Sequence, residues 1–423
     1  MKILLVGGGG REHALAWKMA QSPLCEKLYC APGNPGTAQV GENLPVAAED
    51  VPAIVKAAKD CGVEMVVVGP EDPLAAGLAD AVREAGMLCF GPSAEGARLE
   101  ADKAFSKELM RNASIPTAEA RVFTDLAAAR DYALSRDKGI VVKAAGLAKG
   151  KGVYVCLEPH MAVKPLEQMM NERIYGDAGD TVVIEELLTG QEVSILALCD
   201  GRSIYPLEAS QDHKPIGDGD TGPNTGGMGA YSPTPIVDEQ VMTRVEGEIL
   251  VPIVDAMRRS FGRYEGCLYA GLMLTHAGAK VLEFNCRFGD PETQPLMMRL
   301  KSDLVEAMAA VCRHKLDEVQ LEWDPRAAVC VVMASGGYPG SYTKGYEITG
   351  IDAADAMEDV KVFHAGTAMA EGKLVNTGGR VLGVTALGAT IAAAQARAYE
   401  AVKKIHWTDC YYRTDIASKA IAR

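Results

Sequence analysis

The sequence lacks the features of a secreted, membrane-spanning or nucleic-acid-binding protein. Its 11 cysteines are an odd number without a C-x-x-C pair, which argues against a disulfide framework or zinc ribbon. No apolar stretch approaches the roughly 20 residues of a membrane-spanning helix, and four apolar residues before Gly7 are too few for a secretory signal. A net charge of −13 without a dense basic run excludes a large nucleic-acid footprint. We therefore expect a cytoplasmic protein that binds neither nucleic acid nor membrane.

Short apolar strands alternate with helical segments over residues 1–100. The strands KILLVG, KLYCAP, EMVVVG and MLCFG each run into a Gly/Pro loop, and one of the intervening helices is predicted over 74–85. This order predicts a parallel, doubly wound α/β sheet, in which ligands bind at the carboxyl ends of the strands. A smaller α/β unit is expected over about 121–193, a larger unit follows it, and a last unit begins near 326.

The glycine turn after the first strand departs from a dinucleotide-binding fingerprint. The third glycine of that fingerprint would fall at position 12 or 13, and these positions hold Glu12 and His13. We favour a single phosphate bound by free N–H groups at the following helix N-terminus over a ligand-free turn, and both over NAD. The loops at 32–36 and 69–73 would border the same site.

Two segments are suited to a nucleotide. IVVKAAGLAKGKGV places Lys143 on a strand before a glycine loop that is not a P-loop. Such a loop can fold over a triphosphate while the lysine supplies a point charge, and a solvated basic hairpin is the alternative. Further along, VVIEELLTGQE offers backbone groups at 185–188 for an adenine edge and Glu192 for ribose hydroxyls.

The strand KVLEFNCRFGDPETQ carries a polar face. Side chains alternate along a strand, so Glu283 and Asn285 share one face and Arg287 follows on it. A carboxylate and an amide oxygen suit Mg²⁺, and the arginine can hold a phosphate or carboxylate through two hydrogen bonds. The alternative is a surface strand with a fortuitous polar stripe.

A long glycine-rich loop occupies residues 210–233. Loops of this length inside compact domains are commonly functional. Asp212, His213 and Lys214 stand at its start, and we do not assign His213 as a general base. Glycines that permit close backbone approach to a ligand stand at Gly226, Gly227 and Gly229.

In this order, the segments resemble the ATP-grasp superfamily and, more closely, the glycinamide ribonucleotide synthetase family. The matching segments are GGGGREHAL, PGNPGT, VVKAAGLAKGKGV, VIEELLTGQE, QDHKPIGDGDTGPNTGGMGAYSP, EFNCRFGDPETQ and NTGGRVLGV. The resemblance covers essentially the whole chain. It implies a Rossmann-like N-terminal substrate domain at 1–101, a large ATP-grasp domain at 102–121 and 194–325, an inserted lid at 122–193, and a mixed α/β C-terminal domain at 326–423.

The resemblance also implies a reaction. Members of the family use ATP with Mg²⁺ or Mn²⁺ to join glycine to 5-phosphoribosylamine through glycyl phosphate, in de novo purine biosynthesis. A monomer or weak homo-oligomer is expected. The alternatives are another ATP-grasp carboxylate–amine ligase, an NAD-dependent oxidoreductase, and a nucleotide sensor without activity.

By matching positions, the resemblance assigns residues to each ligand. The nucleotide set is Lys103, Lys143, Gly150, Lys151, Gly152, Glu185, Glu186, Leu188 and Glu192. The substrate set is Gly9, Gly10, Asn34, Gly36, Glu71, Asp212, Lys214, Gly226, Gly227, Met228 and Arg287. The metal ligands are Glu283 and Asn285, and the catalytic set is Asp212, Lys214 and Arg287.

The chain departs from the family pattern in two places. Ala145 and Lys149 stand where the family usually has aspartate and alanine. The strand AGLMLT at 270–275 has no acid where many ATP-grasp enzymes carry a further metal ligand. The number of metal ions is therefore left open by the sequence.

Overall fold

A five-stranded parallel sheet begins the chain in the computed structural model, which describes residues 1–148 and 152–422. Its strands are β1 Lys2–Gly7, β2 Lys27–Pro32, β3 Glu42–Asn43, β4 Met65–Val68 and β5 Leu88–Phe90, in the order β3-β2-β1-β4-β5. The helices of this N-terminal domain are α1 Gly10–Met19, α2 Val51–Cys61, α3 Glu71–Ala75, α4 Leu78–Glu84 and α5 Ala94–Ala101. Every strand pair is parallel, which confirms the predicted arrangement.

The single helix predicted over 74–85 is wrong. The structure has two helices, α3 and α4, because Gly77 between them adopts a left-handed φ of +85°. The first of the two already begins at Glu71, directly after the loop that follows β4. Because α3 begins so soon after β4, Glu71 lies at the carboxyl edge of the parallel sheet.

A smaller antiparallel sheet forms an α/β unit that corresponds to the predicted lid and is called the lid below. It follows α6 Lys103–Asn112 and contains β6 Ala120–Phe123, β7 Ile140–Ala144, β8 Val153–Cys156 and β9 Val182–Glu186, in the order β6-β9-β7-β8, with helices α7 Leu126–Leu134 and α8 Val163–Met170. Its buried apolar side chains, such as Val142, Leu166 and Ile184, pack into a cluster of their own. A unit with its own core can move as one body against its neighbours.

The large domain is built on a second antiparallel sheet. Its strands are β10 Gln191–Asp200, β11 Ile204–Pro206, β16 Glu265–Thr275 and β17 Gly278–Asn285, in the order β11-β10-β16-β17. The glycine-rich segment between them carries β12 Gln211–Asp212, β13 Pro215–Gly217, β14 Thr221–Asn224 and β15 Gly229–Ser232. The helices are α9 Glu239–Val245, α10 Val251–Ser260, α11 Thr293–Arg299 and α12 Leu304–Cys312. Leu4 and Val66 of the first sheet share one core with Ile195 and Val281 of this sheet, so the two domains form one platform.

The C-terminal sheet is completed by strands from the glycine-rich segment. Its strands are β18 Ala327–Ser335, β19 Val360–His364, β22 Arg380–Gly388 and β23 Cys410–Tyr411, beside a hairpin of β20 Thr367–Ala370 and β21 Lys373–Asn376. The helices are α13 Ile351–Asp355, α14 Ile391–Val402 and α15 Ser418–Ile421. The strand order β12-β15-β18-β22-β19 ties segment 210–233 to this domain. In the described part of the chain, no helix combines the length and apolar character that crossing a bilayer requires.

Candidate active site

One cavity brings together most of the residues that the sequence singles out. It has a volume of about 490 Å³ and lies where the lid strands, β16, β17, the glycine-rich segment and the N-terminal domain meet. The predicted residues that line it are Glu71, Lys103, Lys143, Gly152, Glu185, Glu186, Leu188, Glu192, Asp212, Lys214, Gly226, Glu283, Asn285 and Arg287. A larger groove of about 1250 Å³ between α6 and α10 contains none of them, so size alone does not identify the site. Lys149, Gly150 and Lys151 lie outside the described residues.

A buried carboxylate paired with two lysines lies at the lid end of this cavity. Lys143 Nζ lies 3.0 Å from Glu185 Oε2 and donates to the backbone oxygen of Leu282 at 3.0 Å. Lys107 Nζ lies 3.2 Å from Glu185 Oε1, and burial lowers the pKa of Lys107 to about 8 against the opposing effect of Glu185. The Glu185 carboxylate therefore pairs two lysines and is not free for a nucleotide. Sequence reasoning missed Lys107, because a lysine on an amphipathic helix is usually solvated.

Lys103 adds a further cation at the hinge between the large domain and the lid. Its Nζ donates to the backbone oxygen of Gly146 at 3.3 Å, and burial lowers its pKa. The family departure at Ala145 sits in this hinge, where the Ala145 oxygen accepts from the Lys103 N–H at 2.8 Å. The contact uses only backbone atoms of Ala145, so it does not require an acidic side chain there. On the far side of the loop, a Cβ at Gly152 would lie 2.7 Å from the Ala148 Cβ, so glycine permits this close approach.

Apolar side chains from the lid strands, from the segment after β9 and from β16 and β17 form a wall of the cavity next to two acidic side chains. Glu186 Oε1 accepts from Lys280 Nζ at 2.9 Å and from the Glu119 N–H at 3.1 Å, so this carboxylate is already paired. Glu192 Oε2 accepts from Lys214 Nζ at 2.9 Å. The apolar wall consists of Val141, Val155, Leu187, Leu188, Met273 and Leu282. Such a wall suits a flat base, with polar groups at its margin for orientation.

Glu283 and Asn285 lie two residues apart on β17, and both line the cavity. Among the described residues, no hydrogen bond or ion pair occupies the Glu283 carboxylate. Burial acts to raise the pKa of Glu283. Nearby ammonium groups, above all that of Lys214, outweigh this effect and lower the pKa. An ionised carboxylate and an amide oxygen are ligands that Mg²⁺ accepts, with water or phosphate in its other positions. The donor set therefore fits a magnesium ion. No cluster of three or more metal-binding side chains exists among the described residues.

Asp212 and Lys214 face the same cavity from the glycine-rich segment. Asp212 Oδ2 lies 4.0 Å from Lys214 Nζ. Burial raises the pKa of Asp212 to about 7, although Lys214 acts in the opposite direction. A carboxyl group with this pKa exchanges a proton near neutral pH.

Beside Asp212, the buried Glu292 accepts from Tyr269 OH at 2.9 Å and from Ser194 Oγ at 3.1 Å. Neither Glu292 nor Tyr269 was singled out from the sequence, although Glu292 lies within the RFGDPETQ segment.

Arg287 is enclosed by acceptors. Its Nε donates to Glu71 Oε2 at 3.0 Å, its Nη2 to Glu100 Oε1 at 2.7 Å, and its Nη1 to the backbone oxygen of Phe288 at 3.3 Å. Arg287 lines the cavity as expected, but its strongest contacts join β17 to the N-terminal domain. Glu100 was missed because nothing in the local sequence distinguishes it from a solvated acid on α5.

Carboxylates, not open N–H groups, surround the glycine turn before α1. The Gly9 N–H donates to Glu12 Oε2 at 2.6 Å, and a backbone hydrogen bond from Arg11 helps to lower the pKa of Asp290, against burial. Gly9 and Gly10 do not line the cavity. This geometry disagrees with a phosphate at the turn, because two nearby carboxylates repel an anion.

Asn34 and Gly36 support the contact between domains. Asn34 Nδ2 donates to the backbone oxygens of Gly8 and His364, both at 2.9 Å. Asn34 Oδ1 accepts from the Gly36 N–H at 2.8 Å and the Thr37 N–H at 3.0 Å, so the amide is fully used. A Cβ at Gly36 would lie 2.2 Å from the ring of His13, so only glycine fits there. The expected substrate contact of Asn34 is therefore not available in this arrangement.

The three loop positions expected to contact substrate differ in exposure. Gly226 lines the cavity, and Gly227, with φ of +114°, packs against the ring of Pro291. Met228 is 0% exposed and lies in the core of the C-terminal domain. Its side chain therefore does not line the cavity, and contact between position 228 and a substrate stays a prediction.

Known proteins resemble this chain over its whole length. The phosphoribosylglycinamide synthetase N domain matches residues 1–100, the ATP-grasp (A) domain residues 101–293, and the C domain residues 328–419. The chain is 54% identical over 426 residues to the phosphoribosylamine–glycine ligase of Rhodopirellula baltica, with 99% of this chain and 98% of that protein covered. It is 50% identical over 427 residues to the ligase of Escherichia coli K12, with 100% and 99% covered.

Solved structures agree with the fold. The phosphoribosylamine–glycine ligase of Thermotoga maritima matches with a TM-score of 0.87 and 33% identity, over 99% of this chain and 100% of that chain. A biotin carboxylase–β,γ-ATP complex from Campylobacter jejuni matches with a TM-score of 0.74 and 14% identity, over 97% and 92% of the two chains. At that identity the second likeness concerns the fold alone. Both matches agree with the predicted α/β architecture.

Proposed function

The chain belongs to the phosphoribosylglycinamide synthetase family, and from this membership we propose the reaction of its cavity. The protein is an ATP-dependent ligase that joins the carboxyl group of glycine to the amine of 5-phosphoribosylamine. The products are glycinamide ribonucleotide, ADP and phosphate, a step of de novo purine biosynthesis. Forming an amide from a free carboxylate in water is uphill, and ATP activates the carboxylate as glycyl phosphate.

One observation carries the assignment of the site: four kinds of group meet in the same cavity of about 490 Å³. Lys103 and Lys143 supply positive charge for phosphate oxygens, and the apolar wall formed by the lid strands, the segment after β9, β16 and β17 receives the adenine. Glu283 and Asn285 would hold Mg²⁺ or Mn²⁺, which when bound offsets charge on the phosphates. Asp212 and Lys214 lie next to these groups and serve the amino acid and the amine.

The residues of the chain have distinct tasks in the two steps. Lys143, fixed on β7 by Glu185 and Leu282, stabilises the charge on the phosphoryl group during transfer to glycine. Lys214 binds the glycine carboxylate, and Asp212 accepts the proton of the attacking amine. Holding the amine against the acyl phosphate contributes through proximity, which supplies up to about 7–11 kcal/mol in favourable systems.

The lid protects the intermediate from water. An acyl phosphate hydrolyses readily, and a closing domain excludes solvent from it. The lid has its own apolar core, which suits it to rigid-body closure. Its glycine loop flanks the cavity at Ala148 and Gly152.

A substrate-omission panel tests this function. Purified protein is incubated with ATP, Mg²⁺, glycine and 5-phosphoribosylamine, each omitted in turn, while phosphate and ADP are measured. We expect full turnover only with all four, and slow ADP release without glycine. Rapid glycine-independent release would indicate another acceptor and contradict the proposal. Replacing glycine with other amino acids separates this reaction from that of another ATP-grasp carboxylate–amine ligase, and NADH titration tests the oxidoreductase alternative.

The localisation and oligomeric state of the enzyme belong to the same proposal. We place it in the cytoplasm, as a monomer or weak homo-oligomer that acts on glycine and 5-phosphoribosylamine and binds neither nucleic acid nor membrane. Sedimentation at several protein concentrations measures the oligomeric state directly.

A further inference from the structure

The segment NTGGRVLGV, at the start of β22, has no role in the reaction described above. Its arginine, Arg380, lines the cavity from the C-terminal domain. Arg380 Nη1 donates to the backbone oxygens of Asp290 at 2.6 Å and Gly226 at 2.8 Å, and lies 3.4 Å from that of Gly227. Arg380 Nη2 lies 3.4 Å from Asp290 Oδ2. One planar guanidinium therefore joins the glycine-rich loop to the turn that follows β17, a task suited to its fork of donors.

A second side chain of the same domain holds the glycine loop. The Gly226 N–H donates to Tyr338 OH at 3.1 Å. A Cβ at Gly226 would lie 3.0 Å from Arg380 Cζ, and a Cβ at Gly227 would lie 2.4 Å from Pro291 Cδ. The loop is therefore pressed between the C-terminal domain and the turn at 290–291, and a side chain at position 227 would overlap Pro291.

The contacts of Arg380 continue to the N-terminal domain. The Asp290 carboxylate accepts from Gln294 Nε2 at 2.9 Å, and its pKa is lowered, against burial, by Arg380 and Arg11. The backbone of Arg11, in the first turn of α1, also bonds to Asp290. Asp290 thus receives contacts from the N-terminal and C-terminal domains together.

We propose that Arg380 is a positioning residue for 5-phosphoribosylamine. It fixes the loop at 226–227 and the turn at 290 against the N-terminal domain, and so shapes the end of the cavity away from the lid. We assign this end to 5-phosphoribosylamine because Gly226, one of the positions expected to contact substrate, lines it. The nucleotide end is formed by lid strands and by β16 and β17, which Arg380 does not hold. This inference rests on the proposed function and adds the C-terminal domain to the substrate site.

The test compares Arg380→Gln with a matched variant, Arg397→Gln. Arg397 lies in the same domain and also bonds a backbone oxygen, that of Leu387 at 2.7 Å, and an aspartate, Asp359 at 3.0 Å, but it does not line the cavity. Each substrate is varied in turn, and thermal unfolding is recorded for both variants. We expect Arg380→Gln to raise the KM for 5-phosphoribosylamine about tenfold, with the KM for ATP changed less than about twofold. Arg380→Lys should recover only part of the loss.

Each result decides the question. An unchanged KM for 5-phosphoribosylamine, or equal changes in all three KM values with a loss of thermal stability, would overturn the inference. If Arg380→Gln does not fold, Tyr338→Phe removes only the acceptor of the Gly226 N–H and must raise the same KM. Wild-type protein without glycine- and amine-dependent turnover would instead contradict the proposed function, so the two failures are distinguishable.

Discussion

Arg287 Nε donates to Glu71 Oε2 at 3.0 Å and thereby joins the end of β17 to the first turn of α3. Although burial opposes it, Arg287 and Arg11 lower the pKa of Glu71 to about 2, so this pair stays ionised throughout the physiological pH range. The strand that presents Glu283 and Asn285 is therefore fixed to the N-terminal domain. The proposed substrate and metal sites therefore share one support.

Arg287→Lys should behave as a non-conservative change. A lysine cannot reach Glu71, Glu100 and the Phe288 oxygen in the geometry of the planar fork. We expect kcat/KM to fall at least about tenfold, with a lower unfolding temperature. Steady-state kinetics and thermal unfolding measure the two effects, and an unchanged kcat would count against this role.

Glu283→Gln should lower phosphate release at saturating ATP by about 100-fold or more, because the variant removes the one charged metal ligand of β17. Activity should depend on a higher Mg²⁺ concentration than in the wild type. Glu347→Gln, which alters an exposed ion pair with Lys373, is the control and should leave activity unchanged. Wild-type turnover at ordinary Mg²⁺ concentration would remove the metal site from the proposal.

The pH dependence of kcat/KM should report Asp212. As a base it acts in its ionised form, so the rate should rise as pH increases through about 7, and Asp212→Asn should lose this limb. The same raised pKa affects folding. The protonated carboxyl stabilises the fold at low pH, and this contribution is lost as pH rises from about 4 to about 7. A pH–rate profile that is identical in Asp212→Asn and wild type would exclude Asp212 as the base.

Glu185→Gln should destabilise the lid. The substitution leaves Lys107 and Lys143 without their shared carboxylate, and breaking a buried ion pair costs about 3–5 kcal/mol. Urea unfolding measures the loss in the free energy of unfolding. Glu158→Gln, at an exposed position elsewhere on the lid, should change it little. Equal stability of the two variants would show that the lysines find other partners.

The local pattern of the sequence was enough to predict much of the fold and the part of the cavity formed by β7 and β17. Strand alternation placed Glu283 and Asn285 on one face, and the strand before the glycine loop placed Lys143 in the cavity. These predictions succeed because side-chain direction along a strand follows directly from the sequence. The parallel order of the first sheet follows in the same way from alternating strands and helices.

Contacts between distant segments could not be predicted. Arg287 meets Glu71, and Arg380 meets Asp290, across stretches of chain that carry no local sign of the pairing. Asn34 looked available for a ligand because its loop is polar and glycine-rich, but the folded chain uses its amide to bind His364. The polar side chains of such residues gain their hydrogen-bond partners only when separate domains come into contact.

The pairing of β15 with β18 determines how much of the chain must be synthesised before this part of the fold can form. Ala230 lies opposite Cys330, so the glycine-rich segment finds its neighbouring strand only after about a hundred further residues have left the ribosome. Until then, a nascent chain with a completed parallel sheet and lid would carry an unpaired strand edge. Truncation before Ala327 would therefore yield an aggregation-prone species rather than a smaller working enzyme.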